Sequence, residues 1–230
     1  MNTRFSEALR VKKQTGSIPV IPDFKSISPK EGDLFGMRDS VDLACLMASA
    51  GAPALSVVTE RESFGGSLAM LERIASATDL PVLRKDFIKN TDDLKATRDA
   101  GADAVLLICA MMDETSLEHL FEQALTLGLE PFVEAHTIAE LEFIGTLGAT
   151  LVGINNRDII GLEKDAGTVS HTTSLAKYAP KDALLVSESG ILSPPDTRAA
   201  IDAGADAVLV GTAIWQAENT ETFYRLLCRG

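Results

Sequence analysis

The sequence predicts a single (β/α)8 barrel. Eight short apolar, β-branched runs recur along the chain, and segments of helical periodicity lie between most of them. The length of 230 residues suits one such barrel, because this fold commonly uses roughly 200 to 250 residues as one domain. Residues 1–230 are therefore read as one domain, with residues 1–17 a short segment before the first strand.

The runs fall at residues 18–24, 54–58, 81–83, 104–108, 130–133, 151–154, 183–186 and 207–210. They are almost wholly apolar, as parallel strands covered on both faces should be, whereas a half-exposed strand would alternate. Helical spacing marks residues 67–77 (SLAMLERIASA), 92–100 (DDLKATRDA) and 116–127 (SLEHLFEQALTL). Gly-Ala-Asp-Ala precedes a strand twice, at 101–104 and 204–207, with looser versions at Gly148 and Gly51; glycine there suits a helix C-cap. No linker is evident: Pro194-Pro195 is the strongest candidate, and the helical run at 197–203 makes it a helix start instead. A doubly wound open sheet is the weaker alternative.

Composition narrows the function. The chain carries 33 Asp and Glu against 21 Lys and Arg, a formal charge of −12, which would repel a phosphate backbone and excludes nucleic acid as an expected partner. An anionic small molecule would need a local concentration of Lys, Arg and backbone N–H groups. Cys45, Cys109 and Cys228 are too widely spaced for a disulfide framework or a Cys-x-x-Cys site and fit a reducing cytoplasm. No run reaches the ~18 apolar residues that span a bilayer, and MNTRFSEALRVKKQTG has no signal-peptide core, so no membrane partner is expected.

In such barrels the chemistry lies at the C-terminal ends of the strands. Polar residues interrupt the apolar pattern there at Asp23 and Lys25 after the first run, Lys85 and Asp86 after the third and Glu134 after the fifth. Asn155, Asn156 and Arg157 follow the sixth, and Glu188 and Ser189 the seventh. Two lysines beside two glutamates at one barrel mouth can exchange protons, as carbonyl chemistry requires, although an ion pair or an orienting contact would use the same residues.

An anion site is predicted at Ser189-Gly190 and Gly211-Thr212. Turns after the seventh and eighth strands, with a helix N-terminus, hold phosphate in many barrels. Ser28 in the first loop could add a hydroxyl, and residues 28–35 form a candidate lid hinged at Gly32 and Gly36. Phe87, next to Lys85 and Asp86, suits the wall of a pocket for a planar substrate. Met111, Met112 and Trp215 are expected to pack in the core. His119, His136 and His171 are scattered, favouring surface or packing roles, and no metal site is predicted.

Taken in order, these motifs resemble the indole-3-glycerol-phosphate synthase family of tryptophan biosynthesis. The resemblance runs through Pro22-Asp-Phe-Lys-Ser-Ile-Ser-Pro29, Ser56-Val-Val-Thr59, Phe64-Gly-Gly-Ser67 and Pro81-Val-Leu-Arg-Lys-Asp-Phe-Ile88. It continues through Val133-Glu134, Gly153-Ile-Asn-Asn-Arg-Asp158, Val186-Ser-Glu-Ser-Gly-Ile191 and Val210-Gly211, covering the barrel from about residue 18 onward. It implies ring closure of 1-(2-carboxyphenylamino)-1-deoxyribulose 5-phosphate with loss of carbon dioxide and water, and no cofactor.

By the same resemblance, Lys85 is the general acid and Glu134 and Lys25 are proton-transfer groups for dehydration. Asp23, Asn155 and Glu188 belong to their polar network. Arg157 would meet the anthranilate carboxylate or a ribulose hydroxyl, and Ser28, Ser189, Gly190, Gly211 and Thr212 would lie on the phosphate side. The family usually has Glu where this chain has Asp23, and a longer N-terminal segment with a helix over the mouth, whereas about 17 residues precede the first run here. Association with other enzymes of the tryptophan pathway is a further expectation. The competing readings are a related sugar-phosphate isomerase and a non-catalytic or altered-substrate phosphate-binding barrel.

Overall fold

Each apolar run forms a strand whose two faces are both covered. In the computed structural model, which describes residues 3–157 and 168–230, the strands are β1 (Val20–Phe24), β2 (Ile27–Ser28), β3 (Gly32–Asp33), β4 (Leu55–Val58) and β5 (Val82–Lys85), followed by β6 (Ala104–Ile108), β7 (Glu130–Ala135), β8 (Leu151–Asn155), β9 (Leu184–Glu188) and β10 (Ala207–Val210). Apart from the β2–β3 hairpin, these strands are parallel and close into an eight-stranded barrel in sequence order, with β10 returning to β1. Asp158, part of the motif after β8, lies outside the described residues.

The side chains divide by a period of two. Ile21, Ala54, Leu83, Leu106, Phe132, Leu151, Val186 and Leu209 belong to one buried cluster inside the barrel. Alternate positions such as Val57, Val82, Val105, Val133, Val152 and Val208 pack in two further clusters with residues of the surrounding helices.

Those helices are α1 (Arg4–Gln14), α2 (Ser40–Ala50), α3 (Leu68–Ala77), α4 (Thr91–Asp99) and α5 (Glu114–Thr126), then α6 (Ile138–Leu147), α7 (Ser170–Leu175), α8 (Pro194–Asp202), α9 (Thr212–Gln216) and α10 (Thr220–Leu227). Several start on a side-chain cap: Ser67 accepts from the Met70 N–H, and Asn90–Asp93 and Thr137–Glu140 form capping boxes. Pro194 and Pro195 open α8 as predicted.

The Gly-Ala-Asp-Ala repeats punctuate the chain for a physical reason. Gly101 and Gly204 take φ of +87° and +114°, ending one helix, and the aspartate two residues later clamps the neighbouring strand. Asp103 Oδ2 accepts from the Val82 N–H at 3.0 Å and Asp206 Oδ2 from the Leu185 N–H at 2.9 Å.

The same carboxylates anchor α1. Arg4 pairs with Asp103 at 3.0 Å, Lys13 pairs with Asp206, and the Ser6 N–H donates to Glu130 Oε2 at 3.1 Å. Phe5 and Leu9, both with 0% exposure, join the interior cluster from below. The segment before the first strand is therefore a helix that seals the N-terminal end of the barrel, opposite the C-terminal ends of the strands.

The first loop is also more structured than its composition predicts. Ile27 pairs with Asp33 and Ser28 with Gly32 in the hairpin. Beyond it Phe35 is buried with its ring 5.4 Å from Trp215, and Arg38 donates to the carbonyls of Phe35, Leu34 and Trp215. The candidate lid is thus anchored at its Phe35 end. Trp215 is buried as expected, whereas Met111 is 48% exposed, because it lies in a short 3-10 turn after β6 instead of continuing the strand.

Candidate active site

Carrying the interior positions one step past the apolar cluster reaches the polar residues. Ile21 is followed at period two by Asp23, Leu83 by Lys85, Phe132 by Glu134, Gly153 by Asn155 and Val186 by Glu188. The sequence pattern set Lys85, Glu134, Asn155 and Glu188 beyond their apolar runs; the structure keeps them in the ladder, where Val58 pairs with Lys85, Ile108 with Glu134 and Asn155 with Glu188. They form the uppermost inward-facing ring of a rigid barrel, with Glu134, Asn155 and Glu188 at 0% exposure.

Lys85 is the centre of this ring. Its Nζ lies 3.2 Å from Glu188 Oε2 and 3.9 Å from Glu134 Oε2. Burial pushes the Glu188 carboxyl up to about 8; the Lys85 charge opposes that shift and the Glu134 charge adds to it. Two carboxylates beside one ammonium therefore favour holding an extra proton near neutral pH.

This has a consequence for stability. An unfolded Glu ionises near 4.5, so between that pH and about 8 the folded chain keeps a proton that the unfolded chain releases. The unfolded state then binds fewer protons, and stability falls as pH rises through the window. Urea midpoints at about pH 5 and about pH 8.5 should show this fall in the wild type and a smaller one in Glu188→Gln. Equal falls in both proteins would remove Glu188 as the source.

Above the ring two cavities share a wall. The first is lined by Phe64, Phe87, Val58, Leu106 and Ile108 together with Glu60 and Asp86; the second by Arg157, Ser189, Gly190, Leu192, Gly211 and Thr212. Asp23, Lys25 and Lys85 line both. One side thus combines two aromatic rings and aliphatic side chains with the Glu60 and Asp86 carboxylates, the other offers a guanidinium and glycine turns, and Asp23, Lys25 and Lys85 stand between them. Ser189 and Gly190 adopt left-handed φ of +64° and +71°, which folds the chain back sharply after β9. Ser189 departs from the usual preference for glycine there, a conformation often found at ligand sites.

Most of the predicted site residues converge here, with three qualifications. Glu134, Asn155 and Glu188 line neither cavity; Lys85 stands between the two carboxylates and the open space. Ser28 lines a further, outer cavity with Lys30, Arg157 and Thr212, so it belongs to the rim of the anion side. Asn155 Oδ1 accepts from the Arg157 N–H at 3.0 Å and so orients that loop.

Two other strand-end polar groups tie elements together, although Asp86 also lines the first cavity. Asp86 pairs with Arg84 at 2.8 Å, and Arg84 also donates to Thr59 and Thr97, tying the ends of β4 and β5 to α4. Asn156 donates to Ser187 Oγ and accepts from the Thr172 N–H and hydroxyl, joining β8, β9 and α7.

Several contributors escaped the sequence pattern. Ser56 donates to Asp23 Oδ1 at 2.7 Å, and its mid-strand position in an apolar run was the available signal. Phe64 carries the Lys25 Nζ 5.6 Å from its ring centroid, on a turn whose N–H groups at 62, 63 and 64 donate to the Glu60 carboxylate. His136 lies with Nε2 3.6 Å from Glu134 Oε1, two residues further along the same face of the chain. Among the described residues no cluster of three or more His, Cys, Asp or Glu could hold a metal ion.

The family model for indole-3-glycerol phosphate synthase matches residues 1–227. The chain belongs to that family. An indole-3-glycerol phosphate synthase of Pyrococcus abyssi is 40% identical over 217 residues, covering 94% of this chain and 93% of its own length. One from Nocardioides sp. is 44% identical over 195 residues, 85% of this chain and 74% of its own length. One from Haloarcula marismortui is 41% identical over 211 residues, 90% and 75% of the two chains.

As a synthase-family chain it is a carboxy-lyase of tryptophan biosynthesis. Asp23 occupies the position where the resemblance leads one to expect Glu. Its side chain is fixed by Ser56, and Trp215 Nε1 donates to its backbone carbonyl at 2.7 Å, so the shorter carboxylate is held firmly beneath both cavities.

Proposed function

We propose that this synthase closes the indole ring of 1-(2-carboxyphenylamino)-1-deoxyribulose 5-phosphate at the Lys85 ammonium, releasing carbon dioxide and water to give indole-3-glycerol phosphate. The supporting observation is that Asp23, Lys25 and Lys85 wall both the aromatic cavity and the glycine-arginine cavity. A substrate with an aromatic acid at one end and a phosphate at the other would span the two, placing its ketone among those three residues. Phe64 and Phe87 then cover the aryl ring, while Ser189, Gly190, Gly211 and Thr212 receive the phosphate, with Ser28 at its outer edge.

In ring closure the aryl carbon bearing the carboxylate attacks the ketone carbon, and Lys85 gives its proton to the ketone oxygen. The carboxylate leaves as carbon dioxide, returning its bonding electrons to the ring. The new hydroxyl then leaves as water with a proton from Lys25, and the adjacent carbon loses a proton to the carboxylate network. A cation placed where the oxyanion develops and a base across the pocket are the two requirements of this sequence.

Glu134 and Glu188 contact the reaction through Lys85, holding and replenishing its proton. Arg157 steers an anionic group of the substrate. No step requires a cofactor. No helix among the described residues is long and apolar enough to cross a membrane. Cytoplasmic location and association with other enzymes of the pathway form part of the same proposal.

The test is to incubate the purified protein with this substrate and follow indole fluorescence and carbon dioxide together. Equimolar release of both is expected. Conversion of a sugar phosphate without carbon dioxide would favour an isomerase, and tight binding without turnover a non-catalytic barrel.

A further inference from the structure

The residue between Lys85 and Phe87 is tied down from three sides. Asp86 Oδ2 accepts from the Arg84 Nη2–H at 2.8 Å and from the Thr59 hydroxyl, while Oδ1 accepts from the Phe87 backbone N–H at 2.8 Å. Hydrogen bonds to an ionised carboxylate are roughly twice as strong as neutral ones.

The partners are themselves held. Arg84, on the outer face of β5, donates from Nε to Thr59 Oγ1 and from Nη1 to the Asp93 carbonyl and Thr97 Oγ1 of α4, each at 2.9 Å. Arg84, Thr59 and Thr97 are all buried. Thr59 grips this stretch twice, since its backbone N–H also donates to the Lys85 carbonyl at 3.0 Å.

The chain needs such an anchor here. Lys85 is in register with Val58 of β4, but the register with β6 stops one residue earlier, at Arg84 and Val105. The strand end that carries Lys85 therefore has a paired neighbour on one side only, and Phe87 lies beyond the ladder. Ends held this way open locally at little cost unless other bonds fix them. Yet Lys85 Nζ stands 3.2 Å from Glu188, and Phe87 walls the first cavity.

We propose that Asp86 is a positioning residue for both of its neighbours, anchoring the end of β5 on Arg84 and Thr59 so that Lys85 faces the ketone and Phe87 the aryl ring. The proposal rests on the reading of Lys85 as the proton donor in ring closure. Asp86 also lines the first cavity, so its test must separate anchoring from direct contact with substrate.

The experiment is steady-state kinetics with urea denaturation for the wild type, Asp86→Asn, Thr59→Val, Thr59→Ser and Thr97→Val. In Asp86→Asn one amide oxygen replaces two carboxylate oxygens, so whichever way the amide turns, either Arg84 or the Phe87 N–H loses its acceptor. Thr59→Val removes the hydroxyl anchor and keeps the Asp86 carboxylate and its ion pair, which tests the same idea should the Asn variant not fold. Each of these two should lower kcat about tenfold and raise KM about fivefold, because the proton donor and the aryl wall shift together. Thr59→Ser should return both constants to within about twofold of wild type. Thr97→Val cuts the same network on the helix side; it should lower the urea midpoint and leave kcat and KM within about twofold of wild type.

Wild-type kcat and KM in Thr59→Val would overturn the proposal; joined to a loss in Asp86→Asn, they would make the carboxylate itself a group that touches substrate. A Thr97→Val variant as impaired as Thr59→Val would also overturn it, leaving a network that serves stability alone. An inactive wild type would instead overturn the reading of the reaction, and the proposal with it.

Discussion

Lys85→Ala should lower kcat by about 10³-fold while the protein still binds a phosphorylated product analogue. Its side chain lies within 4 Å of both Glu134 and Glu188 and lines both cavities. In the proposed mechanism its removal takes away the proton donor, whereas the proposed anion side, built from Ser189, Gly190, Gly211 and Thr212, is left intact. Folding should survive, because Glu188 already tends to hold a proton and two carboxyl groups without a cation can share one. Lys85→Arg separates charge from proton transfer: guanidinium keeps the positive charge but does not give up its proton in this pH range. If Lys85→Arg retained wild-type kcat, electrostatic stabilisation would replace acid catalysis as the role of this residue.

The barrel was legible because its apolar runs are almost uninterrupted and its punctuation repeats. Every run between 18–24 and 207–210 became a strand, and Pro194-Pro195 began a helix. What escaped was set by long-range contact. The 4–14 helix has few apolar residues, and its place beneath the barrel depends on Phe5, Leu9 and ion pairs to Asp103 and Asp206, partners about 100 and 190 residues away. The β2–β3 hairpin is two residues long on each side, too short for any periodicity to show.

The candidate site was legible where polarity broke an apolar run. Lys85, Glu134 and Glu188 stood out in that way, but their strands appeared to stop too early. A polar residue ends an apolar pattern without ending a ladder, and here the inward ladder positions are the ones that carry charge. Asn156 gave the same signal and proved structural, since adjacent residues on a strand point to opposite faces, whereas Asp86 pairs with Arg84 and also lines the first cavity. His136 gave no signal of its own, because its relation to Glu134 depends on the inward period continuing past the end of β7. The pairing of Phe64 with Lys25 joins two loops and could not be read from spacing along one.

The period-two reading also explains the glycine below Asn155, and it leads to a second large effect. A Cβ added at Gly153 would lie 2.5 Å from Glu188 Oε1 and 2.7 Å from Phe132 Cζ. Both distances are far below van der Waals contact, and both neighbours are fully buried, so neither side chain has open space into which it could swing. Gly153→Ala must therefore displace Glu188 from beneath Lys85 or spread β7 from β8. Overpacking of this kind costs about 1 to 3 kcal/mol of stability. Displacing the carboxylate by about 1 Å would lower kcat roughly 10²-fold if Lys85 is the proposed proton donor, since Glu188 is its partner at 3.2 Å. Urea denaturation and kcat measured on the same preparation distinguish the two routes. Loss of both supports a Gly153 that makes room for the carboxylate. Loss of stability with unchanged kcat would mean that the strands spread and the Lys85 pair stayed whole, so that Gly153 serves packing alone.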